Sequence, residues 1–367
     1  MSSTRKEEEK QVKQLLYIGT YTEDILFGTG QLFHGQGKGI SICEFEDGRI
    51  TEISKVAVRN PSFVCKYPGK GKLYSVNEMK EYRDKFGGGV TEISCNEDYS
   101  MRIVRDDNTD GTDPCHIEIS PDQTFLAVSN FASGSLTVLY LDAQGRMTGE
   151  KALFQHEGSS VHPKRQKGPH AHSALFVPGE KRFYVPDLGT DTLYAYTWTG
   201  GKVERDPQRD VSVEKGSGPR YGEFDKAGNN FYLINEIASQ VKHFVCENGM
   251  LEARETVSTL PEDFTGDNIC SDLHLSVDGK YLYASNRGHD SLAVFAVGTD
   301  GSLSLCSRIP CGGKTPRNFC VEPTGKYVLV GNQDSDNITV FSVLEGGRLE
   351  EVSKTDWGSP VCIRFWK

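Results

Sequence analysis

The sequence repeats itself, and the repeat keeps one register. Six segments open alike: NPSF at Asn60, DPCH at Asp113, AHSA at Ala171, GPRY at Gly218, ICSD at Ile269 and TPRN at Thr315. A seventh, SPVCIRF from Ser359, runs into the C-terminus. Aligned on Pro61, Pro114, Ala171, Pro219, Cys270 and Pro316, each full segment reaches turn residues seven positions on and an Asn or Asp sixteen positions on. That column is Asn77, Asn130, Asp187, Asn235, Asn286 and Asn332. Apolar stretches flank a turn rich in Pro, Asp and Gly, so each unit reads strand, turn, strand. A third alternating strand follows in most units, as in SLTVLYLD and NITVFSV, and a fourth in some, as in GRLEEVSKT. Three to four strands per unit, at spacings of roughly 44 to 57 residues, predict the blades of a β-propeller.

The seventh unit has its first strand and then ends. Its missing second strand is expected at the other terminus, in QLLYIGTYT, where matching Tyr17 to Tyr74 puts Thr20 in the Asn column. The expectation is therefore an all-β, seven-bladed β-propeller closed by N- and C-terminal strands sharing one blade. Closure removes the open sheet edges that a solenoid would leave. Residues 14–367 are read as a single domain and 1–13 as a disordered charged tail. Irregular stretches at 22–39, 83–89 and 157–168 are expected to form a rim around one face.

Composition removes several classes of function. The formal net charge of -10 argues against a broad nucleic-acid interface. No run of 18 apolar residues offers a membrane span, and residues 1–14 have no apolar core of a secretory signal. The ten cysteines form no CxxC pair, which suits reduced thiols in the cytoplasm. There is no P-loop, no GxSxG elbow and no GxGxxG leading a helix. No cofactor, metal, membrane or obligate protein partner is expected.

In a propeller the first strand of each blade lines the central channel. Two registers then converge on one mouth. The first holds Ser62, Cys115, His172, Arg220, Ser271, Arg317 and Val361; the second is the Asn column with the residue after it, including Glu78, Glu236 and Arg287. The Asn column has a structural explanation in turn capping, with Asn130 and Asn286 kept as candidate binding residues. Arg220, Arg287 and Arg317 stand on different blades. Three guanidinium groups near one point call for a bound anion, or for internal compensation by Glu78 and Glu236. His170 and His172 in GPHAHS read as structural, as a metal pair, or as an acid or base beside Glu236, with His172 in the channel register.

These segments resemble a known family, the seven-bladed propeller lactonases of the 6-phosphogluconolactonase and carboxy-muconate lactonizing type. The resemblance rests on YIGTYT, NPSF, GPHAHS with VPDLGTD, GPRYGEF with NE, SNRG and PRNF, and runs from about Leu16 to the C-terminus. It implies an active site of His172, Arg220, Glu236 and Arg287; the registers add Arg317, His170, Asn286, Glu78 and Asn130 as candidate substrate-binding residues in support. One departure is Tyr221, where some members carry His. The implied activity is hydrolysis of an anionic sugar lactone, 6-phospho-D-glucono-1,5-lactone first. The alternatives are muconate-type ring closure and a non-catalytic propeller that binds a protein. The base is expected to be His172 or Glu236.

Overall fold

The structure, a computed structural model, describes residues 13–69 and 71–366. Among the described residues seven antiparallel blade sheets succeed one another, six of four strands and the fourth of five, and two small two-stranded hairpins stand beside them. Blade 3 shows the plan: Pro114–Ile119, Phe125–Asn130, Ser135–Leu141 and Met147–Gln155 lie side by side in chain order. Helix among the described residues is limited to two short 3₁₀ turns, Pro207–Arg209 and Glu345–Gly347. The tail expected at 1–13 falls, except for Lys13, outside the described residues; the Lys13 ammonium lies 3.2 Å from Glu44.

Ring closure follows the split repeat. Pro360–Phe365 is the inner strand of blade 1 and pairs antiparallel with Gln14–Thr20, Leu16 facing Phe365 and Ile18 facing Ile363. Thr20 faces Pro360 just as Asn130 faces Pro114, Asn235 faces Pro219 and Asn332 faces Pro316. Every junction between neighbouring blades holds its own buried apolar cluster. The one between blades 7 and 1 joins Leu16, Ile18 and Ile363 to Leu329 and Val340, and six further clusters join the other neighbours. An open row of seven blades has six junctions, so the seventh cluster is what closure adds. Each fully buried Leu or Ile in it contributes about 1.5–3 kcal/mol.

Hydrogen bonds pin the blades as well. Tyr74, Tyr184 and Tyr232, three residues before the Asn/Asp column, donate to the carbonyls of Gly145, Gly249 and Gly301 in the next blade. The column itself is turned into the fold. The Asn130 amide donates to Ser135 and to Thr137 Oγ1 (2.9 Å), and Asn286 accepts from Thr259 Oγ1 (2.7 Å). Both are wholly buried. The expectation that Asn130 and Asn286 contact a ligand is corrected here. They end the second strand pointing away from the channel, and alternation along the strand turns the next residue toward it.

A row of tilted and edge-to-face rings crosses the middle of the fold. Phe63 lies 4.3 Å from His116 (ring centroids), His116 5.9 Å from Tyr221, Tyr221 5.8 Å from His274 and His274 5.0 Å from Phe319. Cavities of about 560 Å³ and about 730 Å³ lie on either side of these rings. The first lies on the face where the rim segments 22–39 and 157–168 stand. Its lining includes Phe27 and Arg165 from those segments. Segment 83–89 does not reach it.

Candidate active site

Local backbone geometry aims side chains into the smaller cavity. In five blades the inner strand carries one extra residue just past its start, a β-bulge at Val361, Cys115, Arg220, the Ser271–Asp272 step and Arg317. A bulge kinks the strand and re-aims the extra side chain, which is why the first sequence register faces the channel. The residue before the opening proline is left-handed in every blade that has one: Asn60 (φ 40°), Asp113 (φ 51°), Gly218 (φ 65°), Thr315 (φ 58°) and Ser359 (φ 44°). Left-handed backbone costs a residue with a Cβ about 1–2 kcal/mol, and the paired strands hold it there.

Glu236 is the hub. Its carboxylate takes Arg287 Nη2 at 2.8 Å, Arg220 Nε at 3.0 Å and Arg165 Nη2 at 2.5 Å, with His172 Nε2 at 3.9 Å. Burial alone would raise this carboxyl, but Arg287, Arg165 and Arg220 outweigh it and hold it well below the usual carboxylate range. Arg287 also donates to the Cys270 carbonyl (2.8 Å), and burial brings its guanidinium down to about 10 against the pull of Glu236. Arg220 donates to the Ser271 carbonyl. The Nε groups of Arg220 and Arg287 are buried and make no hydrogen bond among the described residues; Arg220 Nε is near Glu236 in distance but not in angle. Three guanidinium groups on one carboxylate leave a local excess of positive charge at this wall of the cavity, whose lining also holds Glu78, Asp113, Asp267 and Asp334. Burial, then Arg220, keep His172 well below its usual range, so its imidazole is neutral at pH 7.

A second pair stands apart. Arg317 Nη2 lies 3.7 Å from Glu78, which also accepts from the Tyr21 hydroxyl (2.8 Å). The Arg317 guanidinium lies over the rings of Tyr21 (5.1 Å) and Phe27 (5.4 Å). Phe27 sits in the turn of a short hairpin, Asp24–Leu26 with Leu32–His34, that packs on Tyr21 and Val361. The internal compensation expected of Glu78 and Glu236 is therefore present, one carboxylate for each arginine group.

Glu78, His172, Glu236, Arg287 and Arg317 line one cavity, with Arg220 directly behind Glu236. His170 does not line it. Its ring stacks on Phe131 (4.6 Å) and its Nδ1 meets the Phe131 carbonyl at 2.9 Å, so it braces a lining residue and the expected ligand contact is corrected. His170 and His172 lie outside any strand, so they are not neighbours on one strand face. Tyr221, the departure from the family pattern, belongs to the row of rings and the opposite cavity.

Arg165 was not singled out from the sequence because its loop lies outside the repeat. The loop is firmly held. His162 Nδ1 accepts from the amide of Arg165 (3.0 Å), Gln166 Nε2 donates to the Leu188 carbonyl (2.8 Å), and Asp187 accepts from the amides of His170, Gly189 and Thr190. Gly189 is required there, since a Cβ would meet the Gly168 carbonyl at 1.9 Å. The sequence signal was the KRQ stretch just before GPHAHS, with VPDLGTD as its anchor. Asp113 was also passed over, although it opens its repeat and lines the cavity.

Residues 15–365 match the family described as Lactonase, 7-bladed beta-propeller. The chain belongs to this family. The 6-phosphogluconolactonase of Bacillus subtilis (strain 168) is 30% identical over 318 residues, 85% of this chain and 86% of the relative. That of Formosa agariphila is 31% identical over 324 residues, 84% and 86% of the two chains. The solved structure of a periplasmic gluconolactonase from Pseudomonas aeruginosa superposes with a TM-score of 0.88 at 30% identity, covering 96% of this chain and 99% of that one. This lactonase shares both the fold and the length of these proteins. No helix among its described residues is long and apolar enough to cross a membrane.

Proposed function

We propose that this lactonase hydrolyses an anionic sugar lactone, 6-phospho-D-glucono-1,5-lactone in the first place, to the open-chain acid. The observation that carries the reading is the excess positive charge of Arg165, Arg220 and Arg287 around the single carboxylate of Glu236, at the wall of a cavity of about 560 Å³. That volume accepts a sugar-sized ligand, and arginine recognises carboxylate and phosphate by paired N–H donors. The names of the relatives from Bacillus subtilis and Formosa agariphila support the phosphorylated substrate.

In this reading Arg287, which lines the cavity, serves the charge that develops on the carbonyl oxygen as water adds, and Arg220 supports it from behind Glu236. Glu236 keeps the guanidinium groups together. His172, neutral and beside Glu236, donates from Nε2 to the bound lactone. A cytoplasmic location belongs to the same proposal, and ten cysteines, none of them in a disulfide, suit a reducing compartment.

The test is a lactonase assay with freshly prepared 6-phosphogluconolactone, corrected for spontaneous hydrolysis, on the wild type, Arg220→Ala and His172→Ala. The expected result is catalysis by the wild type and a loss of about 10²–10³-fold in kcat/KM for Arg220→Ala, with a smaller loss for His172→Ala. Unchanged rates in both variants would overturn the assignment.

A further inference from the structure

We propose that Asp113 is the general base of this cavity, the carboxylate that takes the proton of the attacking water. The inference rests on the lactonase reading above and names a residue that the reading leaves open. Glu236 is held by three arginines and is a weak base for that reason. His172, buried among the same cations, has little affinity for a proton.

Asp113 differs from both. It lines the same cavity, with Cys115 and Phe131 beside it, and only 7% of it is exposed. Its backbone is fixed: the amide donates to the Met79 carbonyl (2.9 Å) and the carbonyl accepts from the Phe131 amide (2.9 Å). Its side chain, among the described residues, makes no hydrogen bond and no ion pair. Asn60 Oδ1 accepts from the amides of Thr22 and Glu23 (2.9 Å each), Thr315 Oγ1 donates to Asp334 (2.6 Å), and Ser359 Oγ donates to Asp336 (3.1 Å). At this repeated left-handed position the other polar residues tie down a loop; Asp113 carries a carboxyl group with nothing to tie. A buried carboxylate without a partner costs stability, and a cavity wall is where such a cost has a use. Burial, then the like charge of Glu78, raise its carboxyl to about 7, with Lys80 opposing and Cys115 adjacent as a neutral thiol. Asp113 and Glu236, two of the five carboxyl groups that line this cavity, thus have opposite proton affinities, the arrangement that divides acid–base work from electrostatic work.

The step balances. The Asp113 carboxylate takes one proton as the water oxygen bonds to the lactone carbonyl carbon, whose oxygen becomes an anion facing the arginines. The intermediate collapses by breaking the bond from that carbon to the ring oxygen. The ring oxygen leaves as a hydroxyl with the proton from Asp113, and the product acid releases its own proton to solvent.

The test is Asp113→Asn. Asn accepts left-handed backbone readily and keeps the shape while removing the base. Rates corrected for spontaneous hydrolysis are measured from pH 5.5 to 8, with thermal unfolding at pH 8. The expected result is a loss of at least about 10²-fold in kcat with KM little changed, disappearance of the limb of kcat/KM near pH 7, and an unfolding temperature equal to or above wild type. A variant that keeps the wild-type kcat and its pH limb overturns the inference. So does one whose kcat and unfolding temperature fall together, since that marks a structural role. A wild type inactive on every aldonolactone overturns the lactonase reading itself, an outcome separate from the other two.

Discussion

At the scale of single residues, the site is governed by charges that cannot be removed one at a time. Glu236 neutralises part of three buried guanidinium groups. Taking away one partner of a buried ion pair leaves the others uncompensated and costs about 3–5 kcal/mol. Glu236→Gln is therefore expected to lower stability by about that much, read as a shift in the urea midpoint, and to abolish turnover. Asn130 and Asn286 occupy equivalent positions one strand residue earlier, yet they serve the fold. Identity at a register does not assign a role; the direction of the side chain does.

At the scale of elements, the inner strands do two jobs with one geometry. Their regular part packs against the second strand and against the neighbouring blade, while the bulged residue at the top leaves the pleat and enters the channel. The strand Pro360–Phe365 has a third job, since it completes blade 1 from the far end of the chain. Ile363 within it is wholly buried in the cluster between blades 7 and 1. Ile363→Ala is expected to cost about 2–5 kcal/mol, measured by chemical unfolding, and to loosen that junction first. Hydrogen exchange should report faster opening of Gln14–Thr20 than of Phe125–Asn130, which lies away from the closure.

At the scale of the whole molecule, a second, ion-rich cavity lies on the opposite side of the row of rings, lined by Phe63, Tyr221, His274 and Phe319. There Arg364 pairs with Glu118 at 2.9 Å, and His274 lies between Glu223 (2.9 Å) and Asp272 (3.3 Å). Burial alone would lower the His274 imidazole, but Asp272 and Glu223 outweigh it and raise it to about 10. A histidine raised on folding contributes stability that is fully present below its unfolded pKa of about 6.5. That contribution is lost as pH climbs through about 10. The urea midpoint of the wild type is expected to fall between pH 6.5 and 10, and His274→Asn should flatten this slope. The expected sevenfold symmetry is real for the backbone, while the two cavities show how unequally the side chains use it.

The sequence by itself determined the fold class, the number of blades and the shared terminal blade. All of these are periodic properties, and a repeat with a column of Asn and Asp records the same local geometry six times over. It also marked His172, Arg220, Glu236 and Arg287, because each breaks its column's pattern. What only the tertiary structure decided lies outside that periodicity. Arg165 reaches Glu236 from an insertion that no repeat predicts. His170 turns aside to Phe131, and Asn130 and Asn286 turn into the blades. Asp113 is set apart by the absence of a bond that its counterparts make, and such an absence exists only between parts of the chain that folding brings together.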